Sequence, residues 1–422
     1  MASIGNIAER RASAKWSRSY EIKAVVLLAA GFGVVGLDRF IINPLFPTMQ
    51  KELGLSYQDL GSISAVLALA WGVASIFSGQ IADRLGHNKP VIVVSTIVFS
   101  ALVATTGLAG GLTSLIALRA MMGLAEGAYV PASITATVEA SKINRIGLNI
   151  GIQQMAAPLL GLGFGPLIAV GLLKVLPSWH YVFGIVAIPG FIIAVLMVRV
   201  IRHDPPHSVQ DHTMEKSFGF LHALRNRNVI FNIIGMCLYL AALIVLSAFL
   251  PSYLTDHLNL DIDSMGLVLA GQGVGSFIGM VAIPAISDRL GRKPVMIASL
   301  ALEFVALVVL MGIGASPLLL FTAIFVATFM NAGVVAITVG PLTNASVPPA
   351  IAATATGLVV GVGEIFGGAL APAVAGGLAD AMGLPVILKI ATLAITLAFF
   401  VVLFGVREPG SEARAQDAAL QI

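Results

Sequence analysis

Run length is the feature that most constrains this chain. Apolar stretches of twenty residues or more recur along all 422 residues, separated by short polar breaks. A helix crosses a bilayer with about 20 apolar residues, and inside lipid every peptide group must be satisfied by the chain itself. Twelve stretches qualify: 24–46, 58–81, 91–110, 112–138, 147–173, 180–200, 229–252, 264–286, 294–314, 317–342, 351–378 and 383–406. They are continuous rather than alternating, which excludes a β-barrel. The chain is 58% hydrophobic and only 11% charged, against about 25% charged in a soluble domain. The expected fold is all-α and integral to a membrane, with twelve transmembrane helices.

Polar segments organise these spans. The breaks near 110–112 and 314–317 are so short that the flanking helices must form tight hairpins. The one long connection, "IRHDPPHSVQDHTMEKSFGFLHALRNRN" at 201–228, divides the spans six and six. Residues 1–200 are therefore expected to form one six-helix bundle and 229–422 a second, joined by a cytoplasmic linker. Lys and Arg concentrate on one side of the array: in the N-terminal tail, at Arg84 and Lys89, at Lys142 and Arg145, in 199–227, at Arg289, Arg292 and Lys293, and at Arg407 and Arg414. The positive-inside rule then places both termini in the cytoplasm. The basic excess reports this topology and calls for no nucleic-acid partner. The N-terminus does not read as a cleaved signal, because its apolar run is too long and no small-residue cleavage site follows.

The two halves repeat. "DRLGHNKPVIV" begins at Asp83 after span two, and "DRLGRKPVMI" begins at Asp288 after span eight. Gly147 and Gly151 in span five match Gly357 and Gly361 in span eleven. Two six-span repeats with a midplane site between them are the architecture of a secondary transporter.

Charges inside the spans mark candidate sites, because a charge in hydrocarbon costs roughly 2.5–3.5 kcal/mol on insertion scales. "GLDRFIINP" places Asp38 and Arg39 side by side in span one. Neighbours on a helix diverge by about 100°, so one of the two faces the cavity and the other turns toward span four. "RAMMGLAEGAYVP" in span four carries Arg119 and Glu126. Seven residues is nearly two turns, so both lie on one face about 10.5 Å apart. Gly123 and Gly127 near that face admit a neighbouring helix or a ligand. A guanidinium suits a carboxylate, and a carboxyl in a low-dielectric cavity can titrate. The structural alternative is an ion-pair network between spans one and four.

"GQIADRLGHNK" fits the loop signature G-x-x-x-D-R-x-G-x-[RK]-[RK], with His87 and Asn88 departing from its basic end, and "PAISDRLGRK" keeps the core with Pro284 in place of glycine. On these motifs the chain resembles the major facilitator superfamily along essentially its whole length. Within it, Asp38–Arg39, the R-x-x-x-G-x-x-E-G of Arg119 to Gly127, and a glycine-rich span five ending in "GFGP" resemble the anion:cation symporters, which include sugar-acid/proton and sialin-like carriers. The resemblance implies that Asp38 and Glu126 carry protons and that Arg39 and Arg119 hold substrate. Asp83, Arg84, Asp288 and Arg289 are implied gate residues: a carboxylate at a helix end caps a neighbouring helix and releases it during rocking.

Glu364, in "GVGEIFGG", is the foremost charge of the C-terminal half and is expected to line the cavity, with structural pairing as the alternative. Gln154, Tyr239 and Asn331 are candidates for substrate hydroxyls, with inter-helix hydrogen bonding as the bland alternative. Of Gln153 and Gln154, only one can face the cavity. Glu303 falls in a peripheral span. The histidines and Asp211 of the 201–228 segment lack metal-site register, Cys237 is a lone packing thiol, and no P-loop occurs. The reading is therefore a monomeric carrier of bacterial inner-membrane type, not an enzyme, without cofactor or metal. It uses protons to take up a small organic anion such as a sugar acid or aromatic acid. Other readings are a drug exporter, a spinster-like lipid carrier and a nutrient sensor that has lost transport.

Overall fold

The computed structural model describes residues 17–85, 88–202, 223–348 and 351–408, apart from the side chains of 76–85, 144 and 353. The described residues form helices and connecting turns. In chain order, α1 is Arg18–Leu53, α2 Tyr57–Leu85, α3 Asn88–Thr106, α4 Leu112–Ala140, α5 Ile146–Val175 and α6 Trp179–Val200. The second set is α7 Arg227–His257, α8 Ile262–Leu290, α9 Arg292–Gly312 and α10 Pro317–Ser346, then α11 over Ala352–Gly363, Glu364–Leu370 and Ala371–Met382, and α12 Val386–Gly405. Ten of these are long and apolar enough to cross a membrane. The other two, α2 and α4, are 29 residues each and pack in the same array.

The packing repeats every six helices. In the first half α1 contacts α5 and α6, α2 contacts α4, and α3 contacts α4 and α6. In the second half α7 contacts α11 and α12, α8 contacts α10, and α9 contacts α10 and α12. The contacts between bundles obey the same rule: α2 lies against α11, and α5 against α8. This is two six-helix bundles related by a pseudo-two-fold axis. The hairpins expected at 110–112 and 314–317 are present as α3–α4 and α9–α10.

Helix ends follow capping chemistry. Ser178 Oγ accepts from His180 N at the start of α6, and Asn226 Oδ1 from Val229 N at the start of α7. Asp261 accepts from both the amide and the hydroxyl of Ser264, and these hydrogen bonds hold its carboxyl below the usual range. Long helices are interrupted where glycine and proline cluster. α5, α7, α10 and α11 contain π-helical turns at Pro158–Phe164, Tyr253–His257, Thr338–Leu342 and Glu364–Leu370. Such turns re-aim side chains at functional sites.

The bundles meet mainly in the half away from the termini. Gly163 of α5 and Gly273 of α8 are stacked backbone on backbone, so that a Cβ on Gly273 would overlap Gly163. Gly61 of α2 packs on the Pro372 carbonyl of α11, and Gly376 of α11 sits 2.9 Å, as a virtual Cβ, from Gln58 Cα. At the terminus-bearing end, no described atom lies within 4 Å of a virtual Cβ at Gly147, Gly151, Gly357 or Gly361. Among the described residues the α2–α11 and α5–α8 contacts join the bundles at the far end, and these four glycines have open space beside them.

Candidate functional site

α1 is interrupted at Ile41, between Arg18–Phe40 and Ile42–Leu53. Pro44 has no N–H to return to the Phe40 carbonyl, so the helix ladder thins just past Asp38 and Arg39. Arg119, 1% exposed, meets the backbone just before this break: its Nη1 donates to the Asp38 carbonyl at 3.1 Å and the Arg39 carbonyl at 3.3 Å. A buried guanidinium thus sits on irregular backbone, which a membrane span tolerates only where something supplies the missing donors.

Around Arg119 the charges converge as their helical register implied. Asp38 and Glu126 are both fully buried, and Asp38 interacts electrostatically with Glu126 and Arg119. Glu126 lies in the field of both Arg39 and Arg119. Among the described residues, no donor reaches either carboxyl oxygen of Asp38 or Glu126, nor does any acceptor reach Nε or Nη2 of Arg119. The two acids are therefore neighbours of the arginines without hydrogen-bonded ion pairing. Gly123 and Gly127 serve a helix rather than a ligand. Gly123 meets Leu67, Ala70 and Trp71 of α2, and Gly127 meets Trp71 and Ala74.

The side chains of Asp38 and Arg39 diverge. Asp38 turns into the bundle, while Arg39 points across to the other one, where its Nη2 donates to Glu364 Oε2 at 2.8 Å. Both partners are mostly buried, at 14% and 11% side-chain exposure, and the Arg39 guanidinium lies 5.9 Å from the Trp71 ring. Glu364, expected either to line the cavity or to pair structurally, is paired with Arg39 and is not among the residues lining the small cavity beside it. It opens the π-helical turn of α11 and serves as the counter-ion of Arg39. A cavity of about 20 Å³ is lined by Arg39, Asn43, Ser64 and Arg119 with Ile63, Ile244 and Ala248. That is room for a water molecule and not for a sugar acid.

The remaining sequence candidates fall elsewhere. Tyr239 and Asn331 do not line this cavity, because both are buried inside the second bundle. Asn331 Nδ2 donates to Glu303 Oε1 at 2.9 Å and to the Tyr239 carbonyl at 3.4 Å. Gln153 bonds to Thr137 and Ser133 of α4, whereas Gln154 is half-buried, and its Oε1 is buried with no partner among the described residues. The Asp83 and Arg84 side chains lie outside the described residues, as do the histidines of the 203–222 segment. Asp288 does not cap a neighbouring helix. It pairs with Arg292 one turn on, across the Gly291 turn with its φ of 95°. The amides that open α9 are taken instead by Glu408, which accepts from Arg292 N and Lys293 N at 2.8 Å each. Arg289 is exposed.

Sequence reading missed the closure at the far end. The N-terminus of α2 carries a capping box: Asp59 N donates to Ser56 Oγ, and Ser56 N to Asp59 Oδ2. The first two amides of the helix, Tyr57 N and Gln58 N, are capped from the other bundle by Asp380 at 3.0 and 2.9 Å. The Tyr57 hydroxyl also donates to Asp256, and Lys174 pairs with Asp263. These residues sit at helix ends, where a charge raises no alarm in the sequence. Glu21, 2% exposed, was also passed over; it accepts from Lys142 N and Asn149 and ties α1 to the α4–α5 turn.

A sequence profile described as Major Facilitator Superfamily matches residues 28–359 and 233–420. The chain belongs to the major facilitator superfamily. It is 27% identical over 287 residues to the hexuronate transporter of Bacillus subtilis (strain 168), covering 64% of this chain and 65% of that one. It is 25% identical over 298 residues to the probable L-galactonate transporter of Escherichia coli (strain K12), covering 66% and 65%. The chain thus spans a little under two thirds of the length of these curated relatives. They are transporters, not enzymes. A solved structure of a bacterial homologue of the human lysosomal transporter Spinster, inward-facing and occupied, superposes with a TM-score of 0.74 at 15% identity, covering 92% of this chain and 97% of that one. This likeness reports the shared fold.

Proposed function

We propose that this superfamily member is a secondary carrier that takes up a small organic anion, a monocarboxylate of the sugar-acid class, together with a proton. The carrying observation is the Arg39–Glu364 ion pair between the bundles, set beside two buried acids without donors. Relatives named for hexuronate and L-galactonate support the anion class. The termini are read as cytoplasmic from the Lys and Arg distribution, in a bacterial inner membrane, so the described state is closed to the outside. The carrier acts as a monomer.

Charge balance supplies the mechanism. Three carboxyls, Asp38, Glu126 and Glu364, share the cluster with two guanidiniums, Arg39 and Arg119. One proton makes the empty cluster neutral, and a substrate monoanion requires a second. Because unpaired charge in a low-dielectric interior is costly, loading one anion draws in one proton. The substrate carboxylate replaces Glu364 as the partner of Arg39, which frees α11 from α1 and opens the small cavity. Release of proton and anion inside restores the ion pair.

Transport in proteoliposomes tests this directly. Labelled carboxylates are expected to accumulate under an inward proton gradient and not without one. Asp38→Asn and Glu126→Gln are expected to abolish the gradient dependence. Full, gradient-driven uptake by both variants overturns the proton assignment. Transport of neutral amphiphiles with no carboxylate would replace the anion reading with a lipid or drug carrier.

A further inference from the structure

Glu303 is a buried carboxyl that the proposed transport mechanism does not use. It lies midway along α9, whose outer flank (Leu302, Val305, Val309) is exposed. Its own side chain turns inward and is 1% exposed. One oxygen has a partner: Oε1 accepts from Asn331 Nδ2 of α10 at 2.9 Å. The same nitrogen reaches the Tyr239 carbonyl of α7 at 3.4 Å. Two acceptors remain, Glu303 Oε2 and Asn331 Oδ1, both buried and without a donor.

No counter-charge attends this pair. Of the helices packed against α9, α10 presents Asn331, which couples to Glu303. The charged residues of α8 are Asp263, Asp288 and Arg289 near its two ends, and α12 carries only Lys389 near its start. From α7, Tyr239 is the titratable group in the field of Glu303. Among the described residues no Lys, Arg or His forms an ion pair with Glu303. This contrasts with the first bundle, where each buried acid lies near a guanidinium.

A carboxylate with one amide partner and no cation is the costliest state for such a position. A carboxylic acid has one O–H donor and keeps its acceptor capacity, and an amide has both kinds of group. One added proton therefore removes the charge and turns Oε2 into the donor that the Asn331 carbonyl lacks. We propose that Glu303 and Asn331 form a proton-binding site in the second bundle, in which Glu303 Oε2 carries a proton and donates it to Asn331 Oδ1. The ligand is one proton, distinct from those of the Asp38–Glu126 cluster. The neutral acid–amide pair fastens α9 to α10 and, through the Tyr239 carbonyl, to α7. The site is independent of what the carrier transports.

Infrared difference spectroscopy of the purified full chain at neutral pH tests it. Subtracting the spectrum of Glu303→Gln is expected to reveal the C=O stretch of a protonated carboxyl, lost in the variant. In Asn331→Leu the band is expected to persist at the higher frequency of an acid without a hydrogen-bond partner. Glu303→Gln, which mimics the protonated acid, is expected to keep its melting temperature at alkaline pH where the wild type loses stability. A difference spectrum showing loss of carboxylate stretches alone overturns the proposal. If Glu303→Gln does not fold, an unchanged acid region in Asn331→Leu overturns it equally.

Discussion

At the scale of single residues, the decisive contrast is between Asp38 and Arg39. They are adjacent in sequence, yet one is sealed against α4 and the other reaches α11. Arg39→Ala leaves Glu364 without its cation. Removing one partner of a buried pair costs about 3–5 kcal/mol, so this variant is expected to melt earlier and to lose carboxylate uptake. Glu364→Gln behaves differently, because it removes the competitor and keeps the arginine proposed to bind the anion. Uptake assays with the Gln variant are expected to give a lower KM and a lower kcat, since the empty carrier loses the pair that re-forms after release. Equal loss in both variants, with KM unchanged, would show that the pair only holds the fold. The Arg119 guanidinium is tied to backbone carbonyls at a helix break, so Arg119→Lys is expected to fail where a mere positive charge would suffice. A Lys cannot present the planar fork, and circular dichroism with uptake separates loss of fold from loss of transport.

At the scale of helices, glycine contacts and one trans-bundle cap set the closed end. Gly273→Val places a branched side chain where the Gly163 backbone already lies. The α5–α8 crossing is then expected to splay, and spin-label distances between the far ends of α5 and α8 should lengthen. Asp380 caps two amides of α2 that the capping box leaves open. Loss of an N-cap costs typically about 1 kcal/mol, a factor of roughly five in a two-state population. Asp380→Asn, with a weaker acceptor and no charge to meet the helix dipole, is expected to shift the carrier toward the form open at that end. Labels on α2 and α11 read this shift without any substrate. The α1–α4 pairing was legible because seven residues at helical pitch return to one face. The cap was not, because no local pattern says which distant carboxylate meets a helix start.

At the scale of the whole molecule, the three acids and two guanidiniums predict an electroneutral symport of one proton with each monoanion. Transport of a monocarboxylate is expected to be insensitive to membrane potential and steeply dependent on the proton gradient. A reversal-potential measurement that returns net charge movement would contradict this balance. Six-helix periodicity in packing also accounts for how much of the fold could be read early. Repeated "DRLG" loops 205 residues apart and paired glycines 210 residues apart reflect two copies of one packing plan.

Sequence alone determined the membrane class, the two six-helix halves, and the acid–arginine register of α1 and α4. These follow from run length, repeat and helical pitch, all local or periodic properties. Tertiary structure decided which partner each charge takes. It paired Glu364 with Arg39, moved Asn331 and Tyr239 to the interior with Glu303, gave the α9 amides to Glu408 rather than Asp288, and capped α2 with Asp380. A buried charge must find a complement somewhere in the low-dielectric interior, but chain order does not encode which of several distant groups is brought within reach. That is settled by how two bundles dock.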